Sequence, residues 1–136
     1  MMRATVALIV LIPAAFAAAP TDVLDFVSAI AGDLANNDVH EFLKNVDRAM
    51  PGYAVFKEDV ESLLSTKDVE SEIELISDQG DERNRVLELD WVLITRDKDV
   101  INGRQLTRRV RVKCSIKRMG KTWKLAAFDP LRLFQP

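Results

Sequence analysis

From position 21 onward the spacing of apolar residues changes once, from a helical period to a period of two. Val23, Phe26, Val27, Ile30 and Leu34 recur at helical intervals behind the N-cap candidates Thr21 and Asp22, which predicts a first helix to about Ala35. Asn36-Asn37 interrupts it. Asp38 and Glu41 then stand at capping-box separation ahead of a short second helix carrying Phe42, Leu43 and Val46, which Met50-Pro51-Gly52 ends. Tyr53, Phe56, Val60, Leu63 and Leu64 define a third helix.

After Thr66 alternation takes over. Val69, Ser71, Ile73 and Leu75 alternate with Glu70, Glu72 and Glu74 until the turn-rich stretch Asp78-Gln79-Gly80-Asp81. Leu87, Leu89, Trp91 and Leu93 form a second alternating set, and a loop around Asp97–Gly103 leads to Leu106, Val110, Val112, Cys114 and Ile116. Met119-Gly120 turns the chain into Thr122–Phe128, where Trp123, Leu125 and Ala127 share one parity. The expected fold is α+β: three helices covering one face of a four-stranded antiparallel meander. Keeping apolar residues on one face sets Trp91 opposite Val110 and Leu89 opposite Val112, and in the last hairpin Ile116 opposite Trp123 and Cys114 opposite Leu125.

The first 17 residues differ from the rest. Arg3 precedes an apolar run from Ala4 to Ile12, then Pro13, then Ala15-Phe16-Ala17, the small-x-small pattern of a signal peptidase site. Cleavage after Ala17 is expected, since a cut after Ala19 would place Pro20 next to the scissile bond. The run is interrupted by Thr5 and Pro13 and falls short of the ~20 apolar residues of a membrane span. No other stretch is long and apolar enough to cross a bilayer, and no cysteine lies near the cut to take a lipid. The expected organisation is therefore a cleaved signal over residues 1–17, a single domain over 18–136, and a periplasmic or secreted destination. Export permits disulfides, but Cys114 is the only cysteine, so the core must hold the fold together. Its strand parity makes it a small buried hydrophobe.

Of the 136 residues, 19 are Lys or Arg and 21 Asp or Glu, for a net charge of −2; losing Arg3 with the signal makes it −3. The run Arg108-Arg109-Val110-Arg111-Val112-Lys113 looks like a nucleic-acid stripe, but Glu88 and Asp90 lie across from its outward members. Cross-strand pairing, net acidity and export together argue against nucleic acid. The charges are nonetheless segregated, with Glu70, Glu72, Glu74, Glu88 and Asp90 on the first two strands and Arg109, Arg111, Lys113 and Lys117 on the third. A two-fold axis over that face would set acid on base, so a homodimer is expected.

The order of elements resembles the nuclear transport factor 2-like superfamily, the cone-shaped group that includes ketosteroid isomerases, scytalone dehydratases and polyketide cyclases. The residues behind the resemblance are Gly32-Asp33-Leu34 followed by a short second helix, the strand Glu88-Leu89-Asp90-Trp91, and the closing strand Trp123–Pro130. The resemblance covers nearly all of the chain after the signal. It implies a curved sheet around the first helix, a pocket at the open end of the cone, and dimerisation through the sheet. It does not fix a chemistry.

The isomerases of that group use a carboxylate base with a tyrosine. Here the one tyrosine is Tyr53; Asp129 has the inward parity, although Asp129-Pro130 also reads as a strand terminus, and Asp90 lies on the face opposite Trp91, where it would pair with Arg111. Dehydratases of the group work with histidines, and the only one here, His40, begins an exposed helix. One histidine and one cysteine give no metal-ligand spacing, and there is no glycine-rich phosphate loop, so neither metal nor cofactor is expected. Arg108 shares parity with Leu106 and Val110; at a pocket rim it would suit a carboxylate or phosphate, and a strand bulge near Gln105 would instead turn it outward. Trp91 and Trp123 are divided between pocket wall and core.

Three functions follow as expectations. The first is a non-enzymatic binding module taking a small apolar or amphipathic acid, with Arg108, Trp91, Trp123, Tyr53 and Asp129 as ligand-binding candidates. The second is a small lyase or isomerase using Asp129 with Tyr53. The third is an envelope interaction module docking through the charged sheet or the tail Leu131-Arg132-Leu133-Phe134.

Overall fold

The computed structural model describes residues 21–98 and 100–136. The expected signal over residues 1–17 and its expected cleavage site lie outside the described residues.

Three helices, α1 (Thr21–Ala35), α2 (Val39–Lys44) and α3 (Tyr53–Thr66), precede four strands, β1 (Lys67–Gly80), β2 (Asn84–Asp97), β3 (Gln105–Met119) and β4 (Thr122–Asp129). The strands form one antiparallel sheet in sequence order, and the helices cover its concave face. Local chemistry marks the starts of α2 and α3. Asp38 caps α2 by accepting from the Glu41 backbone N–H at 3.1 Å. Before α3, Gly52 adopts φ +76°, a left-handed conformation that costs glycine little, and Leu131 packs directly on it. The buried stripes Val23, Phe26, Val27, Ile30 and Leu34 of α1 and Phe56, Val60, Leu63 and Leu64 of α3 form one core with Leu87, Leu89, Trp91 and Leu93 of β2. Burying each of the larger side chains contributes about 1.5–3 kcal/mol.

The β2–β3 register follows the expectation, with Trp91 opposite Val110 and Leu89 opposite Val112. The last hairpin does not. Ile116 pairs with Leu125 rather than Trp123, and Cys114 pairs with Phe128 rather than Leu125. The cause is a β-bulge that leaves Ala126 as the extra residue between Leu125 and Ala127. Parity inverts there, so Phe128 is buried and Ala127 is not. A second bulge, at Ile76, carries β1 on to Gly80, and Asp81 closes the turn by accepting from the Arg83 and Asn84 backbone N–H groups at 2.8 and 2.9 Å. The outer edge of β4 is partly covered. Leu125 donates to Asn45 O at 2.8 Å and accepts from the Asp47 N–H at 2.9 Å, so the chain leaving α2 pairs with it.

Candidate functional site

The interior of the cone is filled by aromatic side chains of this chain. Trp91 is fully buried, and its indole Nε1 donates to Ser71 Oγ at 3.1 Å. Phe42, Phe56, Phe128 and Phe134 pack with it. Phe134, which follows the last strand, has ring centroids 5.5 Å from Trp91, 5.6 Å from Phe56, 5.7 Å from Phe128 and 5.8 Å from Phe42. Its exposure is 0% and that of Leu133 is 3%. Such edge-to-face and offset pairs add about 0.5–1.5 kcal/mol each beyond area burial.

Residues 131–135 are held there by specific bonds. Arg108 does have the inward parity, the strand being regular past Gln105. Its guanidinium, however, donates to the carbonyl oxygens of Leu133 at 2.5 Å and Gln135 at 2.7 Å. The rim cation thus holds the chain's own backbone, which occupies its donors as a ligand carboxylate would. Arg132 makes a two-pronged pair with Asp59 at 2.8 and 3.2 Å. Asp59 is 5% exposed and sits on the apolar stripe of α3, three residues after Phe56 and four before Leu63. Asp59 is not among the residues singled out from the sequence, although its helical spacing marks a carboxylate that needs a partner. The tail Leu131–Phe134, expected to dock on a partner, is docked on its own domain.

The other candidates separate. Trp123 is 4% exposed and belongs to the core beside α1. Its Nε1 donates to Asp22 Oδ2 at 3.1 Å, and Arg118 bonds the same oxygen at 2.8 Å while lying 4.1 Å from the ring centroid. Asp22 therefore ties α1 to the last hairpin, and the Arg118 bond holds its carboxyl below the usual range. Asp129 does not face inward. The Ala126 bulge turns it to the outer face, exposed and opposite Lys113. Tyr53 lines a different depression, and no hydrogen bond joins the two. Asp90 lies on the outer face with Arg109 at 2.8 Å, which lowers its pKa. Cys114 is buried, and burial pushes its thiol up to about 12. Among the described residues, no three His, Cys, Asp or Glu side chains converge to hold a metal ion.

The depression around Tyr53 is a cleft of about 690 Å³ between α2, the connection to α3, the outer side of α3 and the β3–β4 hairpin. Leu43, Val46, Met119 and the half-buried Tyr53 give it an apolar floor, and Arg48, Lys57, Lys44 and Lys124 stand around it. Lys44 is paired with Glu41 at 2.9 Å, and Lys124 donates to Lys44 O. Arg48 and Lys57 are exposed and have no ion pair among the described residues. The floor shares no residue with the aromatic cluster.

No family model and no curated protein matches this sequence. Solved structures do. A candidate scytalone dehydratase from Novosphingobium aromaticivorans superposes with a TM-score of 0.69 at 11% identity, covering 79% of each chain. A conserved protein from Planctomyces limnophilus gives 0.67 at 11% identity, over 79% of this chain and 91% of that one. A candidate dehydratase of the nuclear transport factor 2-like family from Streptomyces avermitilis gives 0.64 at 9% identity, over 79% and 92%. With three helices on one antiparallel sheet in the same arrangement as these structures, the chain has the nuclear transport factor 2-like fold.

Proposed function

We propose that this protein is an exported, non-catalytic binding domain that keeps its cone closed with residues 131–134 and binds through its outer surface. The observation that carries the reading is Phe134, fully buried among Trp91, Phe42, Phe56 and Phe128 where the fold would otherwise offer a pocket. The acid–base alternative loses its geometry, because Asp129 and Tyr53 line separate depressions. Titration with Nile red, a neutral apolar dye, tests the closed cone. Wild-type protein gives no saturable fluorescence, whereas folded Phe134→Ala binds one dye per chain; saturable binding to the wild type contradicts the reading. Export rests on Arg3, the apolar run and Ala15-Phe16-Ala17. The intact mass of the product should correspond to a chain starting at Ala18, and one that retains Met1 would refute cleavage.

A homodimer through the sheet is supported by a separate observation. Glu70, Glu72 and Glu74 of β1 are exposed and have no ion pair among the described residues, while Arg109, Arg111 and Lys113 stand exposed on β3. A two-fold axis along the sheet would lay each set on the other. Light scattering should report a dimer in low salt and a shift toward monomer at about 1 M salt, where the Debye length falls to about 3 Å. A monomer at micromolar concentration in low salt would exclude it.

A further inference from the structure

We infer that the cleft around Tyr53 is a binding site for a free amphipathic monoanion, a carboxylate or sulfate carried on an apolar chain or ring. The inference rests on the reading that binding takes place outside the cone. Three features converge there. The volume of about 690 Å³ lies in the range of small-molecule sites. Its floor is apolar, with Leu43, Val46, the ring of Tyr53 and Met119, whose flexible thioether adapts to irregular ligands. At its mouth, Arg48 and Lys57 carry charges that no carboxylate of the described residues neutralises.

The acidic groups of the cleft do not answer those charges. Asp47 is taken up by Lys117 at 2.9 Å and by the Ala49 backbone N–H at 3.0 Å, and these bonds hold it below the usual carboxylate range. Glu61, one turn beyond Lys57 on α3, makes no ion pair with it. The Tyr53 hydroxyl has no hydrogen-bond partner among the described residues and adds a donor at the junction of floor and mouth. An anionic head would take Arg48, Lys57 and the Tyr53 hydroxyl, and its apolar body would cover Leu43, Val46 and Met119. An inorganic anion would leave that floor wet, and a neutral apolar molecule would leave the cations unused.

Isothermal titration of the chain lacking residues 1–17 with dodecanoate, below its micellar concentration, tests the site. Saturable 1:1 binding is expected, with none by decanol at equal concentration. The double variant Arg48→Glu, Lys57→Glu changes two exposed side chains and should fold, as circular dichroism will verify; its affinity should fall by about tenfold or more, the loss of one or more charge-assisted hydrogen bonds. Tyr53→Phe should fall less. Phe134→Ala separates this inference from the closed cone, because opening the cone should add a second dodecanoate site indifferent to Arg48 and Lys57, while the charge-dependent site keeps an affinity within about twofold of wild type. No binding, or binding indifferent to the charge reversals, overturns the site and leaves the closed cone standing. Dodecanoate bound to the wild type with nuclear Overhauser contacts to Trp91 and Phe56 places the ligand in the cone and overturns both. Binding only to phosphatidylglycerol vesicles, and not to monomeric dodecanoate, overturns the free-acid assignment in favour of a membrane surface.

Discussion

Ala126 decides where Asp129 points. Strict alternation from Trp123 and Leu125 makes Ala127 and Asp129 inward residues, and one extra residue reverses both while turning Phe128 into the core. No local residue pattern announces the bulge, because what selects it is the need of the cone to bury Phe128 against Trp91 and Phe56. Deleting Ala126 should leave the pairs Ile116–Leu125, Ser115–Ala127 and Cys114–Phe128 in regular alternation with Phe128 still buried, and so lower the unfolding free energy by less than the about 3–5 kcal/mol expected of Phe128→Ala; denaturant titration measures both. Asp59 is a different case: its helical spacing from Phe56 and Leu63 is a local signal that the sequence reading passed over, and its partner, 73 residues away, has no local signal at all. Arg132→Ala should cost about 1–3 kcal/mol by leaving Asp59 unpaired, toward the lower figure because the guanidinium is 52% exposed. At Cys114, a thiol pushed up to about 12 should resist a disulfide reagent at pH 8 in the native state and react once urea unfolds the chain.

Among the elements, the helices and the central hairpin were legible because each repeats one period over many residues. The capping pair Asp38 and Glu41, the start of α3 at Tyr53 and the pairing of Trp91 with Val110 all follow from local pattern. The segment after β4 has no period of its own. Leu131-Arg132-Leu133-Phe134 reads as an exposed apolar tail, and only the folded cone supplies the rings, the Asp59 carboxylate and the Arg108 guanidinium that receive it. Arg108 thus takes the inward of its two expected orientations, and its guanidinium donates to the chain's own carbonyls. Phe134→Ala should lower stability by about 3–5 kcal/mol while leaving the α3 and β2 protection pattern intact, and hydrogen exchange of both elements tests that separation.

The whole molecule responds to pH through its outer carboxylates. Asp22, Asp47, Asp81 and Asp90 are held below the ordinary aspartate value by Arg118, the Ala49 N–H, the Arg83 N–H and Arg109 respectively. Groups depressed in the folded state contribute stability above their unfolded value of about 4 and lose it as pH falls through the folded values. Melting temperature should therefore be flat in these groups from neutrality to about pH 5 and decline below about pH 4, and a decline centred near pH 6 would contradict this assignment. The same surface holds the segregated strands and the Tyr53 cleft, and Phe134 fills the interior. The resemblance to the cone-shaped superfamily anticipated the architecture; the contents of the cone depended on residues that follow its last strand.

The central claim is that the cone is occupied by the chain's own Phe134. Proton NMR of the protein in solution measures this directly, through nuclear Overhauser contacts between the Phe134 ring and the Trp91 indole, whose centroids lie 5.5 Å apart. Those contacts are expected, together with Phe134 ring resonances displaced from their unfolded positions by the surrounding aromatic rings. A Phe134 ring with unfolded-chain shifts and no contact to Trp91 would contradict it.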